Sequence, residues 1–330
     1  NALAVAMTML LLLMSCSSQS GAEEIRAGSI EPEQSHVPPQ FRCPTVEISE
    51  ARSKEIADAD AQLERVVDRM IEDGKLSVDP EHQGRQELDG PVPFELGPNR
   101  FALDRKFFYF QNAPAAVPAA QSVALSLQWP CFEPLPLGFD SADHSDTSVR
   151  AISIKVDYVD PERVSVESVM RRQVEPLDPT DPQQRAHPLA NLDLRVSGDE
   201  VHGGLKPYYA DVDAVERFLG DRVPSERRRE LALGSSVDWF LSVDDTGIPR
   251  TFIACGNRAL PDGLIVSGNV VSDDPAVPTR QSCEHMFALP ELDIIVRASY
   301  MRVFLHDWKR LEHRVEQLLT PAAATTAREY

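Results

Sequence analysis

Histidines, paired acids and cysteines are the residues of this 330-residue sequence able to do chemistry, and the spacing of each limits what that chemistry could be. A hydrolase serine would need the strained G-x-S-x-G elbow, and no such run occurs. His202-Gly203-Gly204 has the residue types of an oxyanion loop, where closely spaced backbone N–H groups receive developing charge. With no elbow after it, the run reads as a flexible turn. His306 and His313 stand on one expected helix with Glu312 and Glu316 beside them, and could be imagined around a metal. The same helix must bury Leu305, Trp308 and Leu311, which leaves both histidines on its solvated side. His285, two residues after Cys283, reads as a hydrogen-bonded structural residue of a strand.

The acidic pairs have equally local explanations. Asp244-Asp245 precede Thr246-Gly247 and suit a turn, because Asp bonds its own backbone and Gly accepts positive φ. Asp211/Asp213 and Asp58/Asp60 lack the Gly and closing Glu of a calcium loop and suit helix starts or faces. Arg227-Arg228-Arg229, the basic cluster, sits among Glu226 and Glu230, so pairing at i,i+3 and i,i+4 along one helix is expected. No catalytic, cofactor-binding or metal-ligating residue is assigned, and the chain is expected to bind rather than to catalyse.

Of five cysteines, Cys16 stands apart near the N-terminus, leaving Cys43, Cys131, Cys255 and Cys283. An even number in an exported chain implies disulfides, with three possible connectivities. Cys255 with Cys283 is favoured, because the two flank a Gly-, Asp- and Pro-rich excursion, Gly256 to Ser282, whose ends meet if the strands on either side pair. Cys43 would then pair with Cys131. No CxxC and no Cys/His cluster with zinc spacing occurs.

Residues Ala2 to Met14 are apolar save one Thr, and fall short of the roughly 20 residues that cross a bilayer as a helix. The run Leu10-Leu11-Leu12-Leu13-Met14-Ser15-Cys16 resembles the lipobox of bacterial lipoprotein signal peptides, whose basic segment is here expected to lie ahead of Asn1. That resemblance implies that Cys16 carries a thioether diacylglycerol and an N-acyl chain after cleavage, and several chains anchor a protein firmly. By the same analogy Ser17, rather than Asp, implies sorting to the periplasmic face of the outer membrane. The alternative is an ordinary signal peptide cleaved near Ser15, with Cys16 incidental.

The formal net charge of −19 argues against nucleic acid, whose binders present basic faces. It also argues against attraction of the polypeptide to anionic lipid, so acyl chains would do the anchoring. A field of that sign speeds encounter with a cationic partner; the plainer reading is that it keeps the protein soluble.

The elements that must position these residues suit an α+β fold, with antiparallel sheet and segregated helices. Residues 1–16 are the signal and lipidation site, 17–45 a flexible tether, 46–175 an N-terminal α+β region, 190–320 a C-terminal one, and 321–330 a disordered tail. A long helix is expected from Ser49 to Asp73, with Gly74 ending it. Strands are expected over Arg100–Phe110, Ser122–Trp129 and Ala151–Val159, where apolar and polar residues alternate. The segments Cys131–Arg150 and Glu175–Pro188 suit Pro- and Asp-rich loops. Short helices over Val212–Leu219 and Ser225–Leu231 lead into a hairpin, Val237–Val243 and Arg250–Cys255. Strands Glu284–Leu289 and Leu292–Ser299 follow, joined at Pro290-Glu291, before a closing helix from Phe304 to Leu319.

The lipobox, the Cys pair around a loop, the Cys283-Glu284-His285-Met286-Phe287 strand and the closing Trp308…Leu311-Glu312…Val315…Leu318-Leu319 helix together resemble uncharacterised proteobacterial lipoproteins. Some proteins of that kind travel with type VI secretion effectors as immunity proteins. The resemblance implies a lipid-anchored binding protein with a protein partner, an immunity-type protein that occludes a secreted toxin, and carries no catalytic residues. The alternatives are a periplasmic hydrolase without a recognisable motif and a structural envelope lipoprotein.

Overall fold

The computed structural model describes Arg65, Arg69 and residues 91–108, 117–135, 149–199 and 203–320. The chain divides into two units, Asn1–Val37 and Pro38–Tyr330, the first of which lies outside the described residues. Of the helix expected over Ser49–Asp73, only Arg65 and Arg69 are described, and both are helical and exposed. The second unit is α+β, built on a nine-stranded antiparallel sheet with few helices and a C-terminal helix.

Strands β1 (Pro91–Leu96), β2 (Asn99–Asp104) and β3 (Val117–Ala120) form a small sheet of order β2-β1-β3. The strand expected through Phe110 stops at Asp104, whose carboxylate accepts the Lys106 N–H at 3.0 Å and turns the chain into a 3-10 turn, Arg105–Phe107. The β1–β2 turn needs Gly97 at φ 59°, because a Cβ there would lie 2.4 Å from the Tyr158 ring. Asn99 beside it donates to the Leu292 carbonyl at 2.8 Å, tying the small sheet to the large one.

The large sheet contains β4 (Ser122–Gln128), β5 (Glu133–Pro134), β6 (Ala151–Tyr158), β7 (Val196–Ser197), β8 (Lys206–Tyr209), β9 (Val237–Val243), β10 (Pro249–Gly256), β13 (Ser282–Leu289) and β14 (Ile294–Met301). Its order is β5-β4-β6-β14-β13-β10-β9-β8-β7, so the regions 46–175 and 190–320 both contribute strands to it. Alternation places Leu125, Leu127, Ile152, Ile154, Val156, Ile253, Phe287 and Val296 on one buried face, packed against Phe304, Leu305 and the C-terminal helix. On the other face Trp239, Leu241, Phe252, Met286 and Ile295 pack under Val166 and Met170 of α1 (Val166–Arg171).

Helix α1 is held by Ser165, whose hydroxyl accepts the Ser168 N–H at 3.2 Å. Six residues are too few to show a helical period, so α1 carries no local signal. A one-turn α2 (Pro182–Arg185) lies in a segment expected to be loop. Helices α3 (Val212–Leu219) and α4 (Ser225–Ser235) match expectation, α4 running four residues further to a buried Ser236. The closing helix differs in its entry: Arg302–Asp307 is a 3-10 turn, and α5 proper is Trp308–Leu318 with Trp308, Leu311, Val315 and Leu318 along its buried stripe. The corner between β13 and β14 is likewise a 3-10 turn, Pro290–Leu292, closed by Asp293 in the left-handed region at φ 52°.

Cys255 and Cys283 are direct cross-strand neighbours on β10 and β13 and form a disulfide. Cys131 is disulfide-bonded as well; Cys43, its expected partner, lies outside the described residues. The Cys255–Cys283 bridge closes a loop 28 residues long, for which the unfolded chain loses entropy corresponding to roughly 3 to 4 kcal/mol. Replacing both cysteines by Ser should lower the unfolding free energy by about that amount in a denaturant titration. An unchanged midpoint and slope would contradict it.

Candidate functional site

The chemistry-bearing residues are brought together at one place, around His285. On β13 its Nε2 lies 2.9 Å from Glu312 Oε1 of α5, and its Nδ1 lies 3.2 Å from the Tyr300 hydroxyl on β14. Thr251 of β10 donates its hydroxyl to the same Glu312 oxygen at 2.7 Å. Burial first, and the Glu312 charge second, push the Tyr300 phenol well above its ordinary range, so it stays protonated. An imidazole between a carboxylate and a hydroxyl has the residue types of a triad. Here the imidazole is 1 % exposed and sits between three strands and a helix. The network joins α5 to the sheet.

The other candidates separate. His306 donates its Nδ1–H to the Val303 carbonyl, 3.0 Å away, and His313 meets Gln317 at 2.9 Å on the solvated side of α5. Among the described residues no group of three metal-ligating side chains forms. His202 lies outside the described residues, and Gly203 and Gly204 beside it take positive φ, 71° and 111°, as a turn does. Asp244 accepts from Thr246 Oγ1 at 2.6 Å and from the Thr246 and Ile248 N–H groups, and the Thr246 hydroxyl leads in holding its carboxyl below the usual range. Asp211 caps α3, accepting from the Asp213 and Ala214 N–H groups; Asp58 and Asp60 lie outside the described residues. The arginine cluster departs from the expected i,i+3 and i,i+4 pairing. Arg229 reaches across to Asp213 and to Glu216 at 3.2 Å on α3, and Arg228 donates to the Val223 carbonyl at 3.1 Å, so these residues clamp two helices together.

Two surfaces remain. Beside α1, the solvent side of β6 and β14 carries a cavity of about 520 Å³ lined by Lys155, Asp157, Tyr158, Arg163, Val169 and Arg297. Lys155 and Arg297 face one another across the strands, and Asp157 is their shared counter-ion, 2.8 Å from Lys155 and bonded to Arg297. The second surface is the excursion closed by Cys255–Cys283. It folds as a hairpin, β11 (Leu264–Ser267) and β12 (Val270–Asp273), with Gly268 opening the two-residue turn at φ 60°.

The base of this hairpin is fixed from several sides. Arg302 bonds the Asp262 carboxylate and donates to the carbonyls of Gly256, Asn257 and Leu260 at 2.7, 2.6 and 2.6 Å, using the fixed fork of its guanidinium. Arg280 makes a bidentate pair with Asp273 at 2.7 and 2.8 Å. Gly263 takes φ 73° where a Cβ would meet the Thr279 carbonyl oxygen at 2.2 Å. At the tip, Arg150 donates to the Asn269 carbonyl, and Leu264 and Val271 turn into the core. The outward face carries Ile265 and Val270, exposed by 50 and 63 %, beside Ser267 and Ser272, while Val266, paired with Val271, lies on the face of Leu264 and Val271. Sequence reasoning found the loop through its cysteines but missed both strands, which are only four residues each.

No family model and no curated protein matches this chain. Among solved structures it is similar to Smlt3025, an immunity protein of the Stenotrophomonas maltophilia type IV secretion system. The likeness is 27 % sequence identity with a TM-score of 0.56, covering 70 % of this chain and 92 % of the other. The immunity-type resemblance read from the sequence thus has a structural counterpart, though that protein belongs to a type IV system and not to the type VI systems of the sequence resemblance.

Removing the Glu312 carboxylate should separate a structural network from a catalytic one. Glu312→Ala leaves His285 and Thr251 without their shared acceptor and should destabilise the fold by about 1 to 3 kcal/mol, measured by denaturant titration. Any partner binding should persist at temperatures where the variant stays folded. Unchanged stability would contradict the assignment.

Proposed function

We propose that this chain is an immunity protein that neutralises a secreted toxin by binding it. The observation that carries the reading is the likeness to Smlt3025, which extends over 92 % of that protein and 70 % of this chain, far more than one motif. The partner is a protein, and a net charge of −19 suits one that is cationic. The burial of His285, the residue most suited to act as a base, supports a binding role over a hydrolytic one.

The site of action is the periplasmic face of the outer membrane, with the body tethered by acyl chains on Cys16. The lipobox-like run ending at Cys16 supports this, as does the use of disulfides, which persist in an oxidising compartment. A type IV secretion system is the preferred source of the toxin, since the similar structure is an immunity protein of one.

The test is growth. When the candidate toxin encoded beside this gene is directed to the periplasm, co-expression of the full chain should restore growth; continued killing despite full expression would contradict the proposal. The anchor is tested separately. Labelled palmitate should enter the wild-type chain and fail to enter Cys16→Ala, and an unlabelled wild-type chain would remove the tether from the account.

A further inference from the structure

We infer that the β11–β12 hairpin is the surface that docks the toxin, seating Ile265 and Val270 of its outward face in an apolar cleft of a cationic protein. The inference rests on the immunity reading and names the surface that reading requires.

Of the other large exposed aliphatic side chains on the described residues, Leu177, Leu231 and Val243 stand singly, and Leu194 and Val196 lie two residues apart near the edge strand β7. Scattered positions need no explanation, whereas a contiguous patch does. On the hairpin, Ile265 and Val270 share the outward face of two paired strands, at 50 and 63 % exposure. Among the described residues its strands, Leu264–Ser267 and Val270–Asp273, pair only with each other, and apart from Asp273 at the end of β12 they contain none of the charged or Pro residues with which proteins blunt a free edge. An unguarded aliphatic edge on a protein that must stay soluble is a surface meant to be covered.

The hairpin is also held ready. Ordering a loop on binding opposes association, so a patch fixed beforehand keeps more of its contact energy. Cys255–Cys283 closes the base, Arg302 holds four acceptors of the 256–262 segment, and Arg150 holds the turn at Asn269. None of these contacts engages the outward side chains.

Charge selects the occupant. A second copy of this chain would bring another −19 against the first, and an anionic lipid surface is repelled for the same reason. Asp273 at the end of β12 is half exposed and paired with Arg280, so the net acidity of the chain, rather than a free carboxylate on the hairpin, favours a cationic partner. A basic rim around an apolar cleft is the complementary surface.

The experiment uses the full chain and a periplasmic toxin identified beside its gene, with binding measured by calorimetry and protection by growth. Ile265→Asp/Val270→Asp should weaken binding at least about 30-fold and abolish protection, while Leu177→Asp, at an exposed position elsewhere, should do neither. Both variants should melt with the wild type, and Ile265→Ser/Val270→Ser provides an uncharged repeat. Wild-type binding that survives both hairpin variants would overturn the docking surface and leave the immunity reading standing. A wild-type chain that does not bind would overturn both. Self-association in sedimentation, or flotation with phosphatidylethanolamine/phosphatidylglycerol vesicles, that disappears with the hairpin substitutions would assign the patch to another occupant and overturn the inference.

Discussion

The seam between β10 and β13 is the constraint on which the rest of the structure depends. These strands are joined by their antiparallel ladder from Thr251–Phe287 to Cys255–Cys283 and, at its end, by the disulfide. On one side of the seam the sheet continues through β14 and β6 to β4, and on the other through β9 to β7. The chain between the two cysteines cannot leave the sheet, so it emerges as a hairpin at a fixed place. A one-residue slip of the seam would exchange the two faces of each strand, taking His285 from Glu312 and Phe252 and Met286 from the cluster beneath α1.

Arginine side chains carry much of the long-range work. Arg302 gathers the 256–262 segment and Arg150 the hairpin turn. Arg310 links Asp307 at 2.9 Å with the Pro130 carbonyl at 2.9 Å, and Asp307 in turn accepts the Trp129 indole N–H at 2.7 Å. Arg195 lies over the Trp239 ring at 3.4 Å and donates to the Val237 carbonyl at 2.7 Å; burial pushes its guanidinium down to about 10, against the pull of Asp238. These arginines turn inward onto carbonyls, carboxylates and ring faces, whereas Arg100, Arg163 and Arg217 stay exposed in surface ion pairs.

What the sequence made legible follows from the range of the forces involved. Val237–Val243, Val212–Leu219, Ser122–Gln128 and Ala151–Tyr158 were readable, because period and turn residues are local. The pairing of Cys255 with Cys283 was readable because turn-rich composition between two strands leaves little else for their ends to do. The hairpin inside that loop was not, since four-residue strands with two or three aliphatics look like loop. Arg302, 40 residues from Asp262 in the chain, carries no local signal of its role. Nor does the His285–Glu312 bond, whose partners are 27 residues apart and meet only when α5 folds back on the sheet.

A rigid, disulfide-closed hairpin presented to a basic toxin is the core of this account, and hydrogen exchange read with and without the bound toxin tests it most directly. The account predicts that amides of Leu264–Ser267 and Val270–Asp273 are slow in the free protein and slow further in the complex, while α3 and α4 are unchanged. Exchange of the free hairpin at the rate of an unfolded chain, or protection confined to another face, would contradict it.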